Sequence, residues 1–195
     1  MPKIQVSTPL ARPAPATPSN ATTVASRPSP SDRRRIQTRR SGVHGKGVFA
    51  LHDLAKGETL IEYVGEVVSW DEALRRHPHD PGDPNHTFYF HIDDKHVIDA
   101  KIRGNSSRWI NHSCQPNCEA DEQGGRVFIK ALRNIEAGEE LFYDYGLIID
   151  AKYTKKLLAE YPCWCGADSC RGTLLAPKDK AGKKDRKVSK KKMKD

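Results

Sequence analysis

The chain has 195 residues, 36% of them hydrophobic, a length that suits one domain with tails rather than two ordinary domains. No run approaches the roughly 18 apolar residues of a membrane helix, and the opening MPKIQVSTPLARPAPATPSN lacks the apolar stretch of a signal peptide. An intracellular protein is therefore expected, in which the five cysteines are metal ligands or spectators rather than a disulfide framework.

The net charge of +8 is unevenly placed. Residues 1–40 hold eight Lys/Arg against one acid, and residues 177–195 hold ten against three. Each stretch is thus +7, which leaves −6 for residues 41–176. Basic tails of this kind bind phosphate backbones with release of counterions; solvation of an unfolded segment explains them equally well. The acidic middle suits a cationic, lysine-bearing partner.

Residues 1–32 are rich in Pro, Ala, Ser and Thr and are expected to be a disordered tail. The arginines from Arg33 to Arg40 mark the approach to the fold. Gly47–Ala50 and Leu60–Val64 read as strands around a turn at Lys56-Gly57, and Gly65–Val68 as a third. Ser69 is a good N-cap for a short helix over Trp70–Arg76. His77–Asn85 reads as a loop, and Phe88–Ile92 with His96–Ile98 as a hairpin around Asp93-Asp94. Ser106–Ile110 fits one helical turn. Arg126–Ile129 and Glu140–Tyr143 complete the strands, and a Lys-rich disordered tail follows from Pro177. No internal repeat is present. The pattern is mainly β, a β-rich α+β fold, and periodicity does not select which one.

Three clusters carry possible chemistry. His44-Gly45-Lys46-Gly47 supplies glycines where a backbone can approach a ligand; alone it is a turn. The run Arg108-Trp109-Ile110-Asn111-His112-Ser113-Cys114-Gln115-Pro116-Asn117-Cys118 is either a buried hydrogen-bonding knot or a ligand site. Glu139-Glu140-Leu141-Phe142-Tyr143-Asp144-Tyr145-Gly146 alternates its aromatics, as one face of a strand does. A fourth pattern, Cys163-x-Cys165-x4-Cys170, offers three thiolates, one short of a closed tetrahedral zinc site.

Taken in this order, the segments HGKGVFA, IEYVGEVV, HVIDA, GNSSRWINHSCQPNC, EELFYDYG and CWCGADSCRGTL resemble the SET-domain protein lysine methyltransferases, with a post-SET zinc motif. The resemblance spans about residues 33–176. It implies a SET domain over 33–148, a post-SET segment over 149–176 and disordered tails outside them. The implied fold is a set of small sheets with a knot-like C-terminal segment that brings the NHSC and DYG stretches side by side.

The implied activity is transfer of a methyl group from S-adenosylmethionine to a protein lysine. His44, Lys46 and Gly47 are then expected at the methionine part of the cofactor. Phe88 stands where the family often has a Tyr beside the cofactor, and Arg108 braces the site. Asn111 and His112 hydrogen-bond the cofactor through backbone and side chain. Trp164 either packs on the adenine or is plain hydrophobic packing. Tyr145 matches the essential tyrosine, Tyr143 the Phe/Tyr switch position, and Tyr63 lines the lysine channel. Side chains two apart on an extended segment share a face, so Tyr143 and Tyr145 can line one channel. A Tyr at the switch position implies mono- or dimethylation. The post-SET motif takes its fourth ligand from Cys114, giving zinc on Cys114, Cys163, Cys165 and Cys170. Cys118 is left over as a small buried residue.

The implied partner is a histone or histone-like protein, with nucleic-acid contact through the tails and no membrane. The location is then the nucleus or chromosome in a eukaryote, and the cytoplasm or a host cell for a bacterial protein. A ribosomal or other non-histone substrate, or a catalytically silent chromatin-binding module, are the competing readings. Two departures stand out: no cysteine-rich segment precedes the core, and the insert Trp70–Asn85 is short.

Overall fold

The structure is a computed structural model that describes residues 4–6, 34–77 and 87–178. Most of both tails and nearly all of the loop expected over His77–Asn85 lie outside the described residues. In chain order the elements are β1 (Ile4–Val6), β2 (Ile36–Arg40), β3 (Lys46–Ala50), β4 (Thr59–Tyr63), β5 (Glu66–Ser69), α1 (Trp70–Arg76), β6 (Tyr89–His91) and β7 (His96–Asp99). A 3-10 turn (Ser106–Trp109) leads into β8 (Asn111–His112), β9 (Cys118–Gln123), β10 (Arg126–Ala131), β11 (Phe142–Tyr143), β12 (Leu147–Ile149) and α2 (Lys155–Glu160). The strands form four small sheets: β1-β12, β2-β3, β5-β7-β6 and a five-stranded sheet in the order β4-β10-β9-β11-β8. This is the strand-rich, small-sheet architecture expected from the resemblance.

Local sequence explains the best-defined pieces. In β10, Val127, Ile129 and Ala131 are buried and alternate with Arg126, Phe128 and Lys130, the period of a strand with one face on a core. Gly124 and Gly125 both take positive φ, +60° and +82°, as a two-residue hairpin with right-handed twist requires. Helix α1 begins where Ser69 Oγ accepts a hydrogen bond from the Glu72 amide at 3.2 Å. Its acids, Asp71 and Glu72, sit in the first turn and its arginines, Arg75 and Arg76, in the last, which complements the helix dipole. Trp70 and Ala73 are its buried face, and Arg76 ties it down by donating to Glu72, Glu66 and the buried Asp99.

The core gathers Val48, Leu54, Phe90, Ile98, Ile110, Val127, Ile129, Ile135 and Leu141, each at most 3% exposed. Against this core the segment expected as one strand, Glu140–Tyr143, divides its pairing. Glu140 bridges Phe49, and the Leu141 amide donates to Val48 O at 2.7 Å. Phe142–Tyr143 then enters the large sheet as β11, parallel to both β8 and β9. Asn117 guides this crossing: its side-chain amide donates to Glu140 O, and its carbonyl accepts from the Phe142 amide, both at 2.8 Å.

Two stretches depart from the expected elements. Ile4–Val6, in the segment expected as a tail, pairs antiparallel with β12; Ile-Gln-Val is a short β-prone alternation, and β12 offers a strand edge. Acid-rich β9 (Cys-Glu-Ala-Asp-Glu-Gln) has poor strand propensity. It is held by pairing along its whole length with β10 and by an ion pair from Lys130 to Asp121.

Candidate active site and metal centre

The loop before β3, β4, the residues flanking β6, the 3-10 turn, β8, β11 and the segment after α2 all turn side chains into one cavity of about 440 Å³. Of the residues singled out from sequence, His44, Lys46, Tyr63, Phe88, Arg108, Asn111, His112, Tyr143, Tyr145 and Trp164 line it. Gly47 lies buried directly behind the lining.

At one end the cavity is aromatic. The rings of Tyr143 and Tyr145 are 4.9 Å apart, Phe90 lies 6.3 Å from Tyr143, and Tyr63 lies 5.2 Å from Phe90. Tyr143 and Tyr145 thus share a face, as their spacing requires. Two of the three phenols are fixed: Tyr63 donates to Phe88 O and Tyr145 to Ile110 O, each at 3.0 Å. The Tyr143 hydroxyl makes no hydrogen bond to the described residues. Burial pushes all three phenol pKa values above the ordinary range, and for Tyr63 and Tyr143 the charges of the other tyrosines add to this. These groups therefore act as neutral dipoles and not as phenolate bases.

The opposite wall is a clasp. The Asn111 amide donates to Lys46 O and to Glu140 Oε1, both at 2.9 Å, and Glu140 Oε2 accepts from Ser41 Oγ at 3.0 Å. The carboxylate lies so close over Gly47 that a Cβ there would stand 2.0 Å from Glu140 Oε1, so a larger residue would push the carboxylate off its contacts. Arg108 donates to Ala100 O at 3.1 Å and lies 4.8 Å over the Trp109 ring and 5.7 Å over Phe88. Lys46 is also over Trp109, at 4.6 Å. These cation–π contacts fix two long cationic side chains at the rim. Neither Glu140 nor Trp109 was singled out from sequence as a site residue; both stand inside quoted motifs, but their roles arise from contacts between distant segments.

His112 has both ring nitrogens engaged. Nδ1 accepts the Tyr145 amide at 3.1 Å, and Nε2 faces Cys114 Sγ at 3.4 Å. Burial lowers its pKa to about 4, against the opposing charge of Asp144. The neutral ring thus donates from Nε2 to sulfur. Both nitrogens are thus engaged within the protein, while the ring itself lines the cavity.

The Sγ atoms of Cys114, Cys163, Cys165 and Cys170 lie within 4.8 Å of one another, and Cys114 and Cys163 are 3.7 Å apart. Tetrahedral zinc with Zn–S near 2.3 Å needs sulfurs about 3.8 Å apart, so the donor set fits a closed tetrathiolate site. Backbone amides already point at the sulfurs: Cys114 to Cys165, Arg171 to Cys114 and Gly172 to Cys170, at 3.4–3.5 Å. Burial raises the Cys163 and Cys114 thiols. Burial also opposes ionisation of Cys165, but hydrogen bonds from the Cys114 and Ala167 backbone outweigh it and bring its pKa down to about 6. Cys118 stands apart, fully buried, with its thiol pushed up to about 12 by burial.

A second latch joins the cysteine-bearing segment to the stretch after β11. Arg171 makes a two-pronged ion pair with Asp144, at 2.6 and 2.9 Å. Burial works against the Asp144 carboxylate, but Arg171 and the Gly146 amide hold it below the usual range. The pair spans 27 residues, and no local sequence pattern announces it. Trp164, between two of the cysteines, is 77% exposed at the cavity mouth; plain hydrophobic packing, one of its two expected uses, is not what it does.

A match to the SET domain covers residues 45–146, and the chain belongs to the SET-domain family. Similar curated proteins include the H3 lysine-4 specific histone-lysine N-methyltransferases of Chaetomium globosum and Saccharomyces cerevisiae. Each is 38% identical over 147 residues, 73% of this chain and 13% of the relative. The trithorax histone-lysine N-methyltransferase of Drosophila virilis is 39% identical over 139 residues, 69% of this chain and 3% of the relative. The chain thus spans a small part of these relatives' length. Among solved structures, a PRC2 chain described as autoinhibited and bound to S-adenosylmethionine is 34% identical with a TM-score of 0.53, covering 58% of this chain and 15% of that one.

Proposed function

We propose that the chain is an S-adenosylmethionine-dependent protein-lysine N-methyltransferase, with residues 33–148 as its catalytic domain and 149–176 as a zinc-bound post-SET segment. One observation carries this reading: Tyr63, Tyr143 and Tyr145 face the same cavity as the His44–Lys46 loop and Asn111–His112. Relatives named as histone-lysine methyltransferases, two of them H3 lysine-4 specific, support a histone or histone-like substrate and a chromatin location.

The volume is that of a small-molecule site, and its apolar aromatic walls with exposed Gly45 backbone suit an adenosyl sulfonium. That group, when bound, supplies an electrophilic methyl; alignment is left to the protein. An ammonium with an ordinary pKa near 10.4 does not attack. A channel of neutral phenols and apolar rings favours the free amine by desolvation. Tyr145, anchored on Ile110 O, orients that amine. The uncommitted hydroxyl of Tyr143 holds a water beside it and limits the room for added methyls, which supports a mono- or dimethyl product. Zinc, bound by Cys114, Cys163, Cys165 and Cys170, holds the wall formed by Cys163–Cys165 against β8.

Mass spectrometry of mixed histones and other basic proteins after incubation with the purified chain and S-adenosylmethionine tests this. Added CH2 masses on a lysine, absent with Tyr145→Phe, are expected. Cofactor binding without any transfer to any protein would overturn the activity, and complete trimethylation by the wild type would overturn the assignment of Tyr143.

A further inference from the structure

We infer that the Lys-rich segment following the fold is a substrate of the cavity in cis: lysines within Lys187–Lys194 enter it and are methylated by the same molecule. This rests on the methyltransferase reading above. The chain leaves the fold at the cavity rim. Leu147 and Leu174 both line the cavity, Leu175 bridges Leu147, and the Ala176 amide donates to Leu147 O at 2.8 Å. Two residues on, Lys178 is tied back to the fold, its ammonium 4.5 Å over the Tyr153 ring and bonded to Ala151 O. Residues 179–195 hold eight lysines, Lys180 to Lys194.

The path back is short. Leu174 is four residues before Lys178, and Leu147 is two after Tyr145, so the aromatic end lies roughly 20 Å of extended chain from Lys178. Lys187 is nine residues beyond Lys178, about 30 Å of contour, enough for the return and a turn. Lys180 is too close to fold back, and Lys178 is held by Tyr153 and Ala151. A tether of this length gives an effective concentration on the order of millimolar. The charge is complementary, since residues 177–195 are +7 and residues 41–176 are −6. Of the basic side chains, only lysine presents an amine that can be neutral and attack; arginine stays charged. In the step itself the Nζ lone pair bonds to the sulfonium methyl carbon. The S–CH3 bond breaks with its electron pair left on sulfur as a thioether, and the amine proton passes to solvent.

Two measurements on the full chain test this. With S-adenosylmethionine alone, added CH2 masses are expected on Lys187–Lys194 and not on Lys178 or Lys180, with a rate constant unchanged over a tenfold dilution. With S-adenosylhomocysteine, which has no methyl to give, anisotropy reads the affinity for a fluorescent histone H3 N-terminal peptide. Changing all eight lysines to arginine keeps the charge and empties the channel, so the peptide is expected to bind roughly threefold or more tighter. A rate constant that rises in proportion to protein concentration, unchanged peptide affinity, or an unmodified segment while added histones gain methyls each overturns the inference and leaves the methyltransferase reading standing. If neither the segment nor any added protein gains mass, both fall.

Discussion

The floor and the flap of the cavity are built by different physics. The floor, β3, β8, β10 and β11, rests on side chains that are almost fully buried, such as Val48, Ile110, Ile129 and Leu141. The flap after Gly146 buries Ile149 and Leu175 to this degree, but α2 buries none of its residues, and its lysines at 155 and 156 occupy the dipole end that disfavours cations. Four thiols and one ion pair hold the stretch between those two anchors. Hydrophobic burial thus fixes the aromatic channel, and chelation fixes the wall that closes it. The two are separable, and experiments can pull them apart.

The largest effect is expected from removing the metal. A chelator, or Cys114→Ser, should abolish activity by on the order of 100-fold or more and open α2 to limited proteolysis, while the fluorescence of buried Trp70 and the far-ultraviolet signal of the strands persist. A strand signal that collapses with the metal would show that floor and flap are one unit. Gly47→Ala is the reverse stroke, aimed at the floor. A Cβ that displaces the Glu140 carboxylate from Asn111 and Ser41 should cost about 1–2 kcal/mol in denaturant unfolding, with the zinc content of the folded protein unchanged. Asp144→Asn removes the flap's ion pair but no ligand. Discounted for the partial exposure of both partners, it should cost about 1 kcal/mol, read as faster proteolysis of α2 with an unaltered metal content. The smallest effect is Ser69→Ala, which removes the exposed cap of α1 and should cost about 0.5 kcal/mol without changing proteolysis of the flap.

What was legible in the sequence follows from how local each signal was. Helix α1 and its Ser69 cap were readable because cap, acids, buried face and arginines all lie within eight residues. The hairpin at Gly124-Gly125 was half-readable: β10 alternates cleanly, whereas β9 is Glu- and Asp-rich and exists by virtue of its partner. Helix α2 carries a usable cap, Thr154 accepting from the Leu157 amide at 3.1 Å, but lacks an apolar stripe to confirm it. The residues facing the cavity were found through motif resemblance. What holds them was not, because Glu140 meets Asn111 across 29 residues and Arg171 meets Asp144 across 27. The fourth sulfur, Cys114, is 49 residues from Cys163; no spacing rule reaches that far, and the family resemblance alone supplied it.

Strand β11 has a consequence for the birth of the protein. Strands β8 and β9 are separated by only five residues, yet they are not neighbours: the place between them is taken by Phe142–Tyr143, which leaves the ribosome about 25 residues later by sequence. A nascent chain that has released β9 but not β11 therefore carries an open seam through its largest sheet, with unpaired backbone on both lips. The seam closes when Tyr143 is threaded home, and the same insertion delivers Tyr145 to the amide-to-imidazole contact with His112. Maturation of the sheet and assembly of the aromatic channel thus depend on one insertion, and a chain stalled short of it has neither.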